Sequence, residues 1–448
     1  AAPRYIEGRL TPFALDVLFN PETTKWVPSY DGRSKEPVTL PAKFPLLLAQ
    51  GVEGIAVGLS TTILPHNFCE LIEASIAILR KRSFQLFPDF PTGGTADVSN
   101  YNDGLRGGRV KVRAKIDKVD NKTLAIREIP FGTTTSGLID SIVAASQKGK
   151  IKIKKVDDNT SKEVEILIHL PAGSDAQVLI DALYAFTDCE KSLSPNACII
   201  IDQKPHFIGV RDILKQSTAQ TLSLLEWELK NKLEALQLKW HLSSLEKIFI
   251  EKKVYEVIEK AGDREEMISL IGAGLKPHVK KLRREVTRED ILKLAEIPIR
   301  RISRFDKKKT DELLKELDKQ IAETEDYLAN IIDYAVAWFR GLLKKYGKGR
   351  ERKTQIGEFA AVDAVHVAIA NQKLYVNRKE GFIGTSLKKE EFLFDCSQYD
   401  DLIIFRKDGG CMVTKVSDKT FVGKDVILVE KFVRDNKRHI YNMIYQDG

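Results

Sequence analysis

Apolar and polar positions along the chain fall into three regimes. Over residues 1–205, short β-branched runs alternate with helical periods and are punctuated by Gly and Pro. Period-two patterning predicts strands over Gly108–Ile116, Lys122–Ile129, Glu163–Leu170 and Ala197–Asp202. Period-3.6 patterning predicts helices over Asn67–Arg80, Ser136–Ser146 and Asp175–Phe186, so this region is mixed α/β. From Val210 to Lys260 the chain has no Pro or Gly, and Leu222, Leu225, Leu229, Leu233 and Leu236 recur at helical spacing. In the next long segment Leu314, Ile321, Leu328, Ala335 and Leu342 are spaced by seven. Leu317, Thr324, Ile331 and Trp338 form a companion row at offset three, as a coiled-coil seam requires. Two long helices around a small helical insert at 262–305 predict an antiparallel pair carrying a globular tip.

After Gly347-Lys348-Gly349 and the basic run Arg350–Lys353 the pattern turns to strands. Val365–Lys379 aligns with Leu402–Val416, pairing Val367 with Ile404, Asn371 with Asp408, Val376 with Val413 and Arg378 with Lys415. Asn371-Gln372 and Asp408-Gly409 then occupy one hairpin-turn position. Tyr441–Gly448 begins a third copy and stops at the turn. Together with the absence of an initiator Met at Ala1, this predicts a piece of a longer chain.

Length and composition add bounds rather than chemistry. At 448 residues, two to four domains are expected, and 43% hydrophobic with 30% charged residues is a globular composition. No window approaches the ~18 apolar residues of a membrane span, and no basic-then-apolar leader opens the chain, so the expected compartment is cytoplasmic. Five scattered cysteines form no C-x-x-C pair or zinc spacing. The net charge of +8 is spread evenly, with +4 over 1–150 and +2 over 350–448, as an ordinary solvated surface would give. There is no phosphate loop, G-x-S-x-G, H-E-x-x-H or dinucleotide fingerprint.

Six ordered blocks carry the reading further. Arg4-Tyr5-Ile6-Glu7-Gly8-Arg9-Leu10 is followed by Tyr30-Asp31-Gly32, Leu40-Pro41-Ala42-Lys43-Phe44-Pro45, and Gly54-Ile55-Ala56-Val57-Gly58 with Pro65-His66-Asn67. Pro88-Asp89-Phe90-Pro91-Thr92 and Glu128-Ile129-Pro130-Phe131 complete the series. In order and spacing these resemble bacterial type IIA DNA topoisomerase A subunits. The stretch Arg378–Gly384 departs from the gyrase wrapping box, so the resemblance is stronger to the topoisomerase IV branch than to the gyrase A branch.

The resemblance implies a multidomain fold, α/β plus α. Its parts are a remnant of the cleavage region (1–45), a mixed α/β tower (46–205), a long antiparallel coiled-coil arm with a helical tip serving as a dimer gate (206–346), and part of a C-terminal β-pinwheel (350–448). It implies double-strand passage through a phosphotyrosyl-DNA intermediate, for decatenation and relaxation. Tyr5 would be the nucleophile and Arg4 the nearest cation. A free phenol has a pKa of ~10, so attack at neutral pH needs a base or positive charge nearby. Ile55 would wedge between base pairs, and Lys43 and His66 would lie near DNA phosphates. Duplex DNA, a B-type subunit in an A2B2 heterotetramer and a homodimer through the gate are the implied partners, in the nucleoid. No metal site or cofactor is expected in this chain, because Mg²⁺ and ATP are expected from the B-type subunit. The family's winged helix ahead of the nucleophile is not within this sequence, which predicts that the chain alone is inactive. A non-catalytic coiled-coil DNA-binding scaffold is the alternative from another class.

Overall fold

The computed structural model describes residues 6–359, 372–433, 438, 440–442 and 444. The chain divides into two compact units: Ala1–Gln50, Phe68–Leu86 and Arg211–Glu351 make the first, and Gly51–Asn67, Phe87–Val210 and Arg352–Gly448 the second.

The first unit is helical. After the short helix Pro12–Val17 and the hairpin Trp26–Pro28/Lys35–Pro37 come Leu46–Gln50 and Phe68–Leu79. The helix Val210–Glu251 then runs for 42 residues, about 60 Å at 1.5 Å per residue. At its far end Leu245 and Phe249 pack with Ile271, Leu275 and Leu294 from the small helices Arg264–Leu275 and Arg288–Ala295. Those helices start where the sequence caps them. The Asp263 side chain accepts from the Glu266 amide, and Thr287 with Asp290 forms a capping box.

Lys307–Ala329 and Ile331–Tyr346 return antiparallel to the long helix. Lys247 pairs with Asp311 (2.5 Å) and Lys307 with Glu251 (3.3 Å) at one end, while Lys43 touches both Glu228 and Trp338 at the other. Every member of the seven-spaced rows is buried or half-buried. The apolar row is continuous, but the helix is not: Asn330 (φ −115°, ψ 42°) breaks it, and its side chain turns back to Asp326.

The second unit carries the sheets. An antiparallel sheet in the order Lys115–Lys118, Thr123–Glu128, Ile166–His169, Lys155–Asp158 shares a core with helices Thr135–Gln147 and Ala176–Phe186, which buries Leu124, Ile126, Leu138, Ile142, Ile168 and Leu183. A second sheet orders Glu190–Leu193, Val110–Arg113, Thr95–Asp97 and Gln355–Ile356, the last pairing parallel. The strand expected over Gly108–Ile116 therefore serves two sheets. It divides at Ala114: the Ala114 amide still donates to Cys189 O (2.8 Å), next in register after Arg113–Glu190, whereas Lys115 onward pairs with Thr123–Glu128.

Toward the C-terminus a four-stranded and a three-stranded antiparallel sheet enclose Leu374, Val376, Ile383, Leu402, Ile404 and Val429. The hairpin expected at Asp408-Gly409 joins Asp401–Arg406 to Cys411–Lys415, with Gly409 at φ +79°. Of its expected counterpart at Asn371-Gln372, Asn371 lies outside the described residues and Gln372 opens the strand Gln372–Asn377, while most of the third copy lies outside the described residues. Among the described residues no helix is long and apolar enough to cross a membrane.

Candidate nucleic-acid interface

The block containing Ile55 folds as a two-stranded ribbon, Val52–Ala56 with Leu59–Ile63, closed by Val57-Gly58. Gly58 supplies the positive φ (+76°) that a two-residue turn needs. At the base Gly51 (φ +70°) packs so closely that a Cβ there would lie 2.8 Å from Ile63 O. The tip keeps its apolar side chains in water: Ile55 is 88% and Val57 103% exposed. Exposed apolar side chains clustered on a projecting ribbon are the kind of surface that marks an interaction site.

The ribbon is rigidly mounted. Thr62 and Asn196 exchange backbone hydrogen bonds (3.0 and 2.9 Å), and Asn196 Nδ2 donates to Ser60 O (2.8 Å). Thr61 Oγ1 donates to Cys198 O (2.9 Å) and accepts from the Cys198 amide (3.1 Å). The Ala197 amide donates to Gly104 O (2.9 Å), which joins the turn at 102–104 to the same support.

His66 lies beneath this mount, 3% exposed, with Nε2 at 3.0 Å from the Tyr101 hydroxyl. It is also bridged to Pro88. Asn67 donates to Asp89 Oδ2 (2.8 Å), and Asp89 Oδ1 accepts from the amides of Lys353 (3.1 Å) and Thr354 (2.8 Å). Phe90 stacks on Phe131 at 4.9 Å, and the Gly94 amide donates to Glu128. Three of the sequence blocks thus hold one another in place.

Lys43 belongs to the first unit and is 8% exposed. Its ammonium lies 2.7 and 3.0 Å from the two Glu228 carboxylate oxygens and 4.6 Å from the Trp338 ring centre. Asn20 Nδ2 donates to the same Glu228 (2.7 Å), and Trp338 Nε1 donates to Lys43 O (3.2 Å). Phe44 next to it is buried against Phe13 and Phe68. Nearby, Lys345 and the Tyr346 hydroxyl both donate to Asp16 (2.6 Å each), which holds its carboxyl below the ordinary range.

Of the residues expected at the site, Ile55 is therefore at an open surface. Lys43 and His66 are buried and already engaged within the chain, and so are not presented to a phosphate. Tyr5 and Arg4 lie outside the described residues. The described phenols with a shifted ionisation are not activated. Burial pushes Tyr184 up to about 12 and raises Tyr101, Tyr334 and Tyr441. Glu228, Trp338 and Tyr101 were missed as partners of the expected residues. The only sequence signal for them was Trp338's place in the seven-spaced row. Among the described residues no group of three His, Cys, Asp or Glu side chains could hold a metal ion.

Comparison with known proteins agrees with the blocks. The family model for the A subunit of DNA gyrase/topoisomerase IV matches residues 1–340, and "Topoisomerase C-terminal domain, Bacteroidota" matches 373–448. The A subunit of DNA topoisomerase 4 from Borreliella burgdorferi is 40% identical over 446 residues, 99% of this chain and 71% of that protein. The A subunit of DNA gyrase from Lawsonia intracellularis is 29% identical over 75% of this chain, and that from Brachyspira hyodysenteriae 26% over 93%. The chain spans 42% and 55% of those two gyrase proteins.

Proposed function

The chain belongs to the family of DNA gyrase/topoisomerase IV A subunits, and from that premise we propose that it is the DNA breakage-reunion part of a topoisomerase IV. Such an enzyme passes one duplex through a transient break in another, for decatenation and relaxation. In this reading the Tyr5 oxygen attacks a backbone phosphorus, the phosphorus–oxygen bond to the neighbouring sugar breaks, and the departing sugar oxygen takes up a proton. The phosphotyrosyl bond conserves the energy of the broken one, so the reverse attack reseals the strand without a cofactor. Arg4, next to Tyr5 in the sequence, is the cation assigned to offset the negative charge that builds on the phosphoryl group.

The observation that carries the reading is Ile55, exposed at the tip of a firmly mounted ribbon. Inserting it between bases costs roughly a few kcal/mol of unstacking. Burying an isoleucine returns about 1.5–3 kcal/mol. The two nearly cancel, so the wedge acts by choosing where the duplex bends rather than by supplying affinity. Lys43 and His66 are assigned a supporting role: Lys43 ties the segment after the nucleophile to the long helices, and His66 steadies the ribbon's mount.

The finer architecture follows the same assignment. The mixed α/β stretch (46–205), apart from Leu46–Gln50 and Phe68–Leu86 which fold within the first unit, is assigned to the tower, and the antiparallel helices with their tip (206–346) to the arm and dimer gate. The C-terminal sheets (350–448) belong to a pinwheel, and 1–45 to the cleavage region. Mg²⁺ and ATP are assigned to a B-type partner in an A2B2 assembly acting on duplex DNA in the nucleoid, and the chain alone is expected to be inactive. The greater identity to the topoisomerase 4 protein than to the gyrase proteins favours this branch over gyrase A.

The test restores the chain to an intact A subunit with its partner, ATP and Mg²⁺, and supplies catenated and relaxed circles to wild type and Tyr5→Phe. Decatenation that depends on Tyr5, without negative supercoiling, is expected. Tyr5-dependent supercoiling would make the protein part of a gyrase. DNA processing untouched by Tyr5→Phe would leave only the coiled-coil scaffold.

A further inference from the structure

Within the first unit, the turn Ile299–Ser303, the start of Lys307–Ala329 and the long helix at Ser243 and Glu246 border an open cavity of about 520 Å³. That volume falls in the range of small-ligand sites, roughly 300–1,000 Å³. Its lining brings Arg300, Arg301, Arg304 and Lys309 together with two carboxylates, Glu246 and Asp306. Both carboxylates are engaged. Glu246 accepts from Nε and Nη2 of Arg301 (2.6 and 2.7 Å). Asp306 caps the following helix, its Oδ1 accepting from the amides of Lys308 and Lys309 (3.0 and 3.2 Å), and its Oδ2 lies 4.0 Å from the Lys309 ammonium. Neighbouring cations also have acids of their own, Lys247 with Asp311 and Lys307 with Glu251. Arg300 and Arg304 do not. Both are exposed, and no hydrogen bond or ion pair to another described residue engages either guanidinium.

The turn that carries them is anchored. Arg301 ties it to the long helix, while Ile302 and Phe305 pack against the core that contains Phe249 and Leu294. Arg300 and Arg304 stand one helical turn apart, roughly 5–6 Å between Cβ atoms, where like charges repel. With the nearby acids occupied, an anion from outside is what relieves that repulsion. Each planar fork can meet two oxygens of one phosphoryl group, so the pair suits consecutive groups of a phosphate chain, with Lys309 as a further point charge. The cations line a concave surface beside the half-buried Phe305 ring, a shape that fits a small anion better than the convex backbone of a duplex.

We propose that this cavity binds a di- or triphosphate chain, inorganic or carried by a nucleoside, with Arg300 and Arg304 each gripping a phosphoryl group and Lys309 completing the charge. The bound anion joins the turn to the helix that starts at Lys307, and so stiffens this end of the helical unit. The inference does not depend on Tyr5 or on Ile55 as a wedge.

The test titrates tripolyphosphate, and separately ATP without Mg²⁺, into the full chain by calorimetry, with no B-type subunit present. Sulfate at equal ionic strength controls for a general salt effect. Wild type is expected to bind tripolyphosphate and to melt higher in its presence. Arg300→Gln and Arg304→Gln should each weaken binding about tenfold, the loss of one charge-assisted contact, and the double variant should lose it. Without anion these variants should melt as wild type does, because neither guanidinium has a described partner to lose. Arg304→Lys replaces Arg304→Gln if that one melts early, and should weaken binding less, since the charge stays and only the fork is gone. ATP binding more tightly than tripolyphosphate assigns the cavity to a nucleotide with its base against Phe305, and equal affinities assign it to the phosphate chain alone. Affinity untouched by the double variant overturns the proposal, as does sulfate binding as tightly as tripolyphosphate, or no binding of either phosphate compound. Duplex DNA that binds more weakly to the double variant, and that neither tripolyphosphate nor ATP displaces from wild type, would make the surface a DNA contact and overturn it too.

Discussion

The segment around Lys43 and the ribbon around Ile55 are built in opposite ways. At Lys43 a buried cation is fully engaged, by Glu228, by the Trp338 ring and, through its carbonyl, by the Trp338 indole. At Ile55 an apolar side chain is left in water on a ribbon whose returning strand is held at Ser60, Thr61 and Thr62. A group satisfied inside the chain contributes to stability and has little left to offer a ligand. One left unsatisfied by a rigid mount is free to be satisfied by something else. The difference assigns Lys43 to holding and Ile55 to acting, although both stand in blocks with the same family likeness.

The sharpest way to break this contrast is to remove Lys43. Lys43→Ala leaves the Glu228 carboxylate mostly buried, with Asn20 as its hydrogen-bond partner among the described residues, and should destabilise the first unit by about 3 kcal/mol or more, read by chemical denaturation. Lys43→Met with Glu228→Leu should recover most of that loss, since a buried pair replaced by apolar groups of similar volume is often neutral. If Lys43→Ala instead leaves stability intact and weakens DNA binding, the contrast fails.

A smaller effect is expected at His66. His66→Ala strands the buried Tyr101 hydroxyl and should cost about 1–3 kcal/mol, seen as loss of amide-exchange protection in the turn at 102–104. Ile55→Ala should fall within about 0.5 kcal/mol of wild type, because an exposed side chain has no packing to lose. The same variant should nonetheless lose duplex bending.

Acid sharpens the comparison further. Asp16 is held below its ordinary range by Lys345 and Tyr346, so its contribution is complete above about pH 4 and is lost as pH falls through the lower folded value. Exchange protection around Lys345 and Tyr346 should therefore decline in that acid window, in a chain carrying Asp16 but not in Asp16→Asn. Protection in the ribbon should not follow Asp16.

Periodicity made the elements legible. Phe68–Leu79, Thr135–Gln147 and Ala176–Phe186 fall where 3.6-residue spacing places them, and the seven-spaced rows face inward. Local pattern could not show that one strand changes sheets at Ala114, because the partners on the two sides, Glu190–Leu193 and Thr123–Glu128, come from different parts of the chain. Nor could it show that Asn330 interrupts a helix whose apolar row runs on. The candidate site was legible in part. An isoleucine in a Gly-rich run is ordinary core by pattern, and only pairing of the ribbon leaves it exposed. Lys43 reads as a free surface cation until Glu228 arrives from 185 positions away.

The most direct test of the contrast places a fluorescent base analogue, quenched by stacking, at the bent step of a duplex and compares wild type, Ile55→Ala and Lys43→Met/Glu228→Leu. The account predicts that the probe brightens with wild type and with the double variant and stays dark with Ile55→Ala. Brightening that survives Ile55→Ala, or that disappears only with the Lys43 variant, would contradict it.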